Sequence, residues 1–145
     1  MQILPRMIGV PLATLAINAD RSEVRTAADW LHEVAHQHEV PQNKAVALDQ
    51  CLDEVLMNIV MHGGSSAANT PVHLSFMVTP KEAAITISDS GKPFDPVNTP
   101  AKPRPMSLEE AEPGGLGLSI IKGLSNHLDY EYKEGRNVLT FAVAI

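Results

Sequence analysis

Glu54-Val-Leu-Met-Asn58 lies inside an apolar stretch of helical spacing, and its reading decides how the rest of this 145-residue chain is understood. Projected at ~100° per residue, Leu48, Cys51, Leu52, Val55, Leu56 and Ile59 share one broad apolar face. Glu54, Asn58 and His62 are spaced by four and form a single row along the edge of that face, while Asp53 points toward solvent. A polar row at the border of a core stripe is where a helix lines a cleft. Two further segments follow: Asp89-Ser-Gly91 at the end of an alternating strand, and Gly114-Gly-Leu-Gly117-Leu118 at the opening of another helix. Singly, each has an ordinary explanation as an amphipathic boundary, a turn or a hinge.

Working outward, Leu12 to Ile17 reads as a first strand, and Asn18 or Asp20 caps a helix running to about Glu39. Val24, Ala27, Ala28, Leu31, Val34 and Ala35 give that helix one core stripe. Pro41 suits the first turn of the second helix, which Gly63-Gly64 ends, and Ser65 to Thr70 reads as a loop. Val72, Leu74, Phe76 and Val78 then alternate with polar residues, and Pro80-Lys-Glu82 turns the chain into a second such run, Ile85, Ile87 and Asp89. Six prolines fall between Gly91 and Gly114, which precludes a regular ladder or long helix and marks the segment as a lid. Helical signals resume at Leu118, and two final strands, Tyr130 to Lys133 and Val138 to Ile145, meet at Glu134-Gly135. One domain over residues 1–145 is expected, a two-layer α/β sandwich with a mixed sheet and helices on one face.

Composition narrows the function classes. An apolar content of 44% with 19% charged residues belongs to a globular chain, and a net charge of −6 argues against a nucleic-acid surface. The single Cys51 allows no internal disulfide and points to a reducing compartment. No stretch approaches the ~18 apolar residues of a membrane span. The apolar N-terminal region holds only Arg6 as a basic residue and is interrupted by Pro5 and Pro11, so a cytoplasmic location without an export signal is expected.

The three segments become informative together. An amide oxygen such as that of Asn58 suits magnesium, and the Glu54 carboxylate one turn away can take a proton from an attacking hydroxyl. Asp89 projects from its strand end on the apolar side, where the exocyclic amine of adenine is a fitting donor, and Gly91 permits close approach of the base. Gly114, Gly115 and Gly117 stand before a helix N-terminus, whose free N–H groups attract phosphate. This is the outline of an ATP site without a Walker lysine, since nothing matches G-x-x-x-x-G-K-[ST].

In this order the segments resemble the ATP-binding boxes of the histidine-kinase-like (Bergerat) ATPase superfamily, and more closely its anti-sigma-factor serine-protein kinases of the RsbW and SpoIIAB type. The matching stretches are Asp53 to Gly63, Ile87 to Pro96 and Gly114 to Lys122, with Tyr130 to Asn137 similar in the tail. The resemblance implies Glu54 as catalytic base, Asn58 as magnesium ligand and Asp89 as adenine contact. It makes His62, Gly91, Gly114, Gly115, Leu116, Gly117 and Leu118 the remaining ATP contacts. It implies an ATP- and Mg2+-dependent serine/threonine kinase that phosphorylates a STAS-type anti-sigma-factor antagonist and also binds a sigma factor or other regulatory target, and it allows a homodimer. Pro93 departs from the superfamily pattern, which has a second glycine there, and the segment offers only Lys102 and Arg104 as terminal-phosphate cations. The alternative is a nucleotide-sensing module that sequesters a partner without phosphorylating it.

One decoy competes. His32-Glu-Val-Ala-His36 matches the H-E-x-x-H zinc pattern, with Glu54 available as a third ligand. Both histidines project away from the apolar stripe, so they are expected to face solvent. His38 and His127 read as surface or helix-end residues, and His73 as lying on a strand's second face.

Overall fold

The structure is a computed structural model that describes residues 11–96 and 117–145. Strand β1 (Ala13–Ile17) leads into helix α1 (Arg21–Gln37). Asp20 caps α1, accepting the Ser22 N–H at 2.9 Å, while the Glu23 carboxylate accepts the N–H of Asn18. These two acids satisfy donors that the first helical turn cannot. The expected stripe of α1 is buried at Val24, Ala27, Leu31, Val34 and Ala35. Its end is a left-handed turn at Glu39 (φ 60°), which lets the Val40 N–H return to the Ala35 carbonyl at 2.9 Å. Pro41 caps helix α2 (Gln42–His62), whose buried face is Ala45, Leu48, Cys51, Leu52, Val55 and Leu56. The loop expected from Ser65 is instead largely a short helix, α3 (Gly64–Ala68), because Gly64 takes a positive φ of 79° and restarts helical turns at once.

Strands β2 (Val72–Val78) and β3 (Glu82–Asp89) form the expected hairpin. Helix α4 (Gly117–Leu124) precedes β4 (His127–Lys133) and β5 (Arg136–Ala144). The five strands run in the order β1-β2-β3-β5-β4, and every pairing is antiparallel, which corrects the expected mixed sheet. The connection from β3 through α4 would have made β4 a parallel neighbour of β3. The return strand β5 lies between them instead. The last hairpin is tight because Glu134 and Gly135 both have positive φ, 54° and 78°, the mirror-image turn that suits twisted antiparallel strands. Strand β4 therefore starts earlier than the sequence suggests, at His127, whose Nδ1 meets the buried Glu82 carboxylate.

One sheet face carries Leu74, Phe76, Ile85, Ile87 and Phe141 into a core shared with Leu31, Leu48, Leu52 and Leu56 of the helices. Helix α2 packs on β3 and β5, α1 on β1, and α4 on α2. The opposite face presents a row in register, Thr14, Ser75, Thr86, Thr140 and Asp129, with the Thr86 and Thr140 hydroxyls bonded at 2.8 Å. The result is the expected two-layer sandwich with helices on one side.

This packing makes α2 asymmetric. Leu48 is fully buried and Val46, two residues earlier, is 40% exposed. Leu48→Ala should cost about 2–5 kcal/mol of unfolding free energy and Val46→Ala less than about 0.5 kcal/mol, read from urea midpoints. Equal losses would contradict the assigned face.

Candidate functional site

The edge row of α2 keeps its predicted order. Glu54 and Asn58 are half-buried at the border of the core face, while His62, at the helix end, is exposed, as is Asp53. Burial pushes the Glu54 carboxyl above its ordinary value, and the charge of neighbouring Asp53 pushes it further the same way. A carboxylate raised by desolvation holds a proton more readily, which is the property of a base. Among the described residues neither the Glu54 carboxylate nor the Asn58 amide has a hydrogen-bond partner, so both are open to a ligand.

Asp89 ends β3 and is only 6% exposed. Its Oδ2 accepts the Gly91 N–H at 2.8 Å and the Asn137 amide at 3.3 Å. Burial raises this carboxyl, and the Gly91 N–H, the Asn137 amide and the Arg136 charge oppose the rise. Gly91 is required by contact. A Cβ there would stand 3.0 Å from the Gly63 Cα and 3.1 Å from the Gly63 oxygen. The Lys92 N–H reaches that same oxygen at 3.3 Å. The turn after β3 is thus pressed against the C-terminal end of α2, just beyond Asn58.

Asn137 and Arg136 were not singled out from the sequence, although both fall within the family-like tail. Asn137 is buried, and Arg136 donates to the Ser88 and Ser90 hydroxyls at 2.6 and 2.8 Å and to the Ser88 carbonyl at 2.9 Å. No periodicity could have found them, because apart from Tyr130 their side-chain partners lie more than 40 residues away in the chain. Pro93, the departure from the family pattern, is exposed in a loop held on both sides by Asn137, which bonds the carbonyls of Gly91 and Lys92 and the N–H of Phe94.

On the α4 side, Gly117 opens the helix, and Leu118 follows within it. Gly114, Gly115, Leu116, Lys102, Arg104 and most of the proline-rich segment fall outside the described residues. Helices α1, α2 and α4 enclose a groove of about 920 Å³, walled by Arg21, Val24, Arg25 and Ala28, by Asp49, Gln50, Asp53, Glu54 and Met57, and by Ser119, Ile120, Gly123 and Leu124. Glu54 lines it, whereas Asn58, Asp89 and Gly91 do not. The carboxylate therefore faces an open approach separate from the Asp89 turn.

The zinc decoy fails on geometry. His32 is half-buried rather than solvent-facing, because its Nε2 pairs with the Asp49 Oδ2 of α2 at 2.9 Å, and His36 is exposed. No group of three His, Cys, Asp or Glu able to hold a metal ion occurs among the described residues. Two of the remaining histidines have partners: His38, at the end of α1 as expected, packs its ring against Phe76 at 5.8 Å, while His127 is not a surface or helix-end residue but the strand residue already met at Glu82. His73 lies exposed on the second sheet face as expected.

Comparison with known proteins identifies the family of the chain. Residues 17–143 match the model of the histidine kinase-like ATPase domain. The chain is 31% identical over 127 residues to the serine/threonine-protein kinase BtrW of Bordetella bronchiseptica, covering 88% of this chain and 89% of that protein. Among solved structures it resembles the RsbU and RsbW domains of Rv1364c from Mycobacterium tuberculosis, with TM-score 0.65 and 14% identity over 92% of this chain and 33% of that one. It also resembles the SiaB-SiaC complex from Pseudomonas aeruginosa, with TM-score 0.64 and 16% identity over 93% of this chain and 89% of the matched chain. The chain belongs to the histidine kinase-like ATPase family and, within it, to the serine/threonine-protein kinases of which BtrW is one.

Proposed function

We propose that this protein transfers the terminal phosphate of ATP to a serine or threonine hydroxyl of a STAS-type anti-sigma-factor antagonist, and that it holds a sigma factor or other regulatory target until the unphosphorylated antagonist displaces it. The observation that carries the phosphotransfer reading is the position of Glu54, a half-buried carboxylate with no hydrogen-bond partner among the described residues, on the wall of an open groove and one helical turn from Asn58. The groove gives a protein segment a way to Glu54 that does not cross the Asp89 turn. Glu54 would receive the hydroxyl proton as the oxygen attacks the terminal phosphorus, whose bond to the bridging oxygen breaks so that ADP leaves.

The residues present fit a magnesium nucleotide. Asp89 offers an acceptor for the adenine amine, Gly91 admits the base, and Asn58 offers an amide oxygen with no partner among the described residues, of the kind magnesium takes alongside phosphate oxygens. Magnesium, when bound, would neutralise charge on the transferring phosphoryl group. His62 and the glycine segment from Gly114 to Leu118 complete the proposed ATP contacts. Among the described residues no helix is long and apolar enough to cross a membrane, and the lone buried Cys51 suits a reducing compartment, so the cytoplasm is the proposed location.

Glu54→Ala should abolish phosphotransfer to the cognate antagonist while leaving ATP affinity largely intact, measured with labelled ATP and by calorimetry. Phosphorylation at near wild-type rate would remove Glu54 from its role. Absent phosphotransfer by the wild type, with ATP and the antagonist both bound, would favour the sequestering module instead. A pH profile adds a second check. Since burial and Asp53 both raise the Glu54 carboxyl, activity should be lost on acidification at a higher pH than an unperturbed glutamate would give. Asp53→Asn removes a negative neighbour and should move this acid limb downward. For Asp89→Asn, ATP affinity should fall by about 1–3 kcal/mol, because an amide can turn a donor toward the adenine amine. An unchanged affinity would reduce Asp89 to a turn residue.

A further inference from the structure

Asn137 is one of three polar or charged residues buried among the described residues, with Glu82 and Asp89. Its Nδ2 faces the Lys92 carbonyl at 3.0 Å, the Gly91 carbonyl at 3.2 Å and the Asp89 Oδ2 at 3.3 Å. Its Oδ1 accepts the Phe94 N–H at 3.2 Å and the Tyr130 hydroxyl. The amide can face only one way, because two backbone carbonyls demand donors on one side and a backbone N–H demands an acceptor on the other. An aspartate at this position would set a carboxylate oxygen against two carbonyls and a second carboxylate. A leucine would make none of these hydrogen bonds and would leave the Gly91 and Lys92 carbonyls without the Asn137 donor.

The consequence reaches Asp89. Both of its side-chain hydrogen bonds, from Gly91 and from Asn137, fall on Oδ2, and Oδ1 has no partner among the described residues. The side chain is therefore held by one oxygen and presents the other in a fixed direction. The same amide also holds the backbone from Gly91 to Phe94, so the carboxylate and the loop beside it cannot shift independently.

We infer that Asn137 is a positioning residue for purine recognition: by holding Asp89 through Oδ2 and the Gly91 to Phe94 backbone through its remaining bonds, it aims the free Asp89 oxygen at an exocyclic amine and so sets the preference for an amine-bearing purine. This inference rests on the reading of Asp89 as the adenine contact. Asn137 itself touches no reacting atom in this scheme. Tyr130 supports it from β4, because the hydroxyl that donates to Asn137 also lies 3.2 Å from the Phe94 nitrogen.

The test compares ATP with purine ribonucleoside triphosphate, which lacks the exocyclic amine, by calorimetry with magnesium. A site that bonds the amine should prefer ATP by about tenfold or more. In Asn137→Ala that preference should collapse toward unity, through a roughly tenfold loss for ATP and little change for the analogue. Equal weakening of both nucleotides would mark Asn137 as merely structural and overturn the inference. Should Asn137→Ala fail to fold, Tyr130→Phe decides: it removes only the hydroxyl and should lower the preference by about two- to threefold, and an unchanged preference overturns the inference. Asp89→Asn separates the two levels. If it leaves the preference intact, the adenine reading fails and the inference with it. If it abolishes the preference while Asn137→Ala and Tyr130→Phe do not, only the role of Asn137 falls.

Discussion

The close approach of two backbones, where α2 ends and where the turn after β3 begins, is the constraint on which the site depends. Space for a β-carbon at Gly91 is missing, because it would lie 3.0 Å from the Gly63 Cα and 2.8 Å from the Asp89 Oδ2. Packed protein interiors do not yield that distance cheaply. A side chain at position 91 would drive the turn away from the helix and carry Asp89 away from Asn58. Steric fit sets how closely the turn after β3 approaches the end of the helix. The Lys92 to Gly63 hydrogen bond then holds what the glycines permit.

Burial acts on the two site carboxylates in the same direction but leaves them with different capacities. Glu54 is raised by desolvation and by a like charge, and no donor among the described residues offsets either. Asp89 is raised by desolvation but is held by the Gly91 N–H, the Asn137 amide and the Arg136 field. A carboxylate without donors is free to take up a proton, whereas one held by donors keeps its acceptor geometry. Two acids on one scaffold can in this way be suited to proton transfer and to base recognition respectively. The groove beside Glu54, apart from the Asp89 turn, gives this division a spatial counterpart.

The zinc-like motif shows how a pattern loses its meaning in three dimensions. His32 and His36 are four residues apart on α1, yet only His32 meets an acidic group, Asp49, and that pair links α1 to α2. Projection of α1 alone put His32 in solvent because a single helix has no knowledge of its neighbour. The sheet gives a parallel lesson. The sequence shows where β3, α4, β4 and β5 lie but cannot say which strand β5 will adjoin, and its place between β3 and β4 is what makes every pairing antiparallel.

Much of the architecture was local and therefore legible. The cap at Asp20, the alternation in β2 and β3, the stripe of α1 and the edge row on α2 each depend on residues within one or two turns or on a two-residue period, which a single strip of sequence displays. The order of Glu54, Asn58, Asp89 and Gly91 on those elements was legible for the same reason. What the sequence could not display were contacts between distant segments: Gly63 against Gly91, His32 with Asp49, Glu82 with His127, and above all Asn137 reaching back to Asp89 and Phe94. Period and propensity carry no record of partners separated by tens of residues. By itself the sequence determined the elements and the chemical types at their edges. Only the tertiary structure decided which edges meet, because hydrogen bonds between distant segments and the exclusion of side chains at close backbone approaches exist only once the layers are packed.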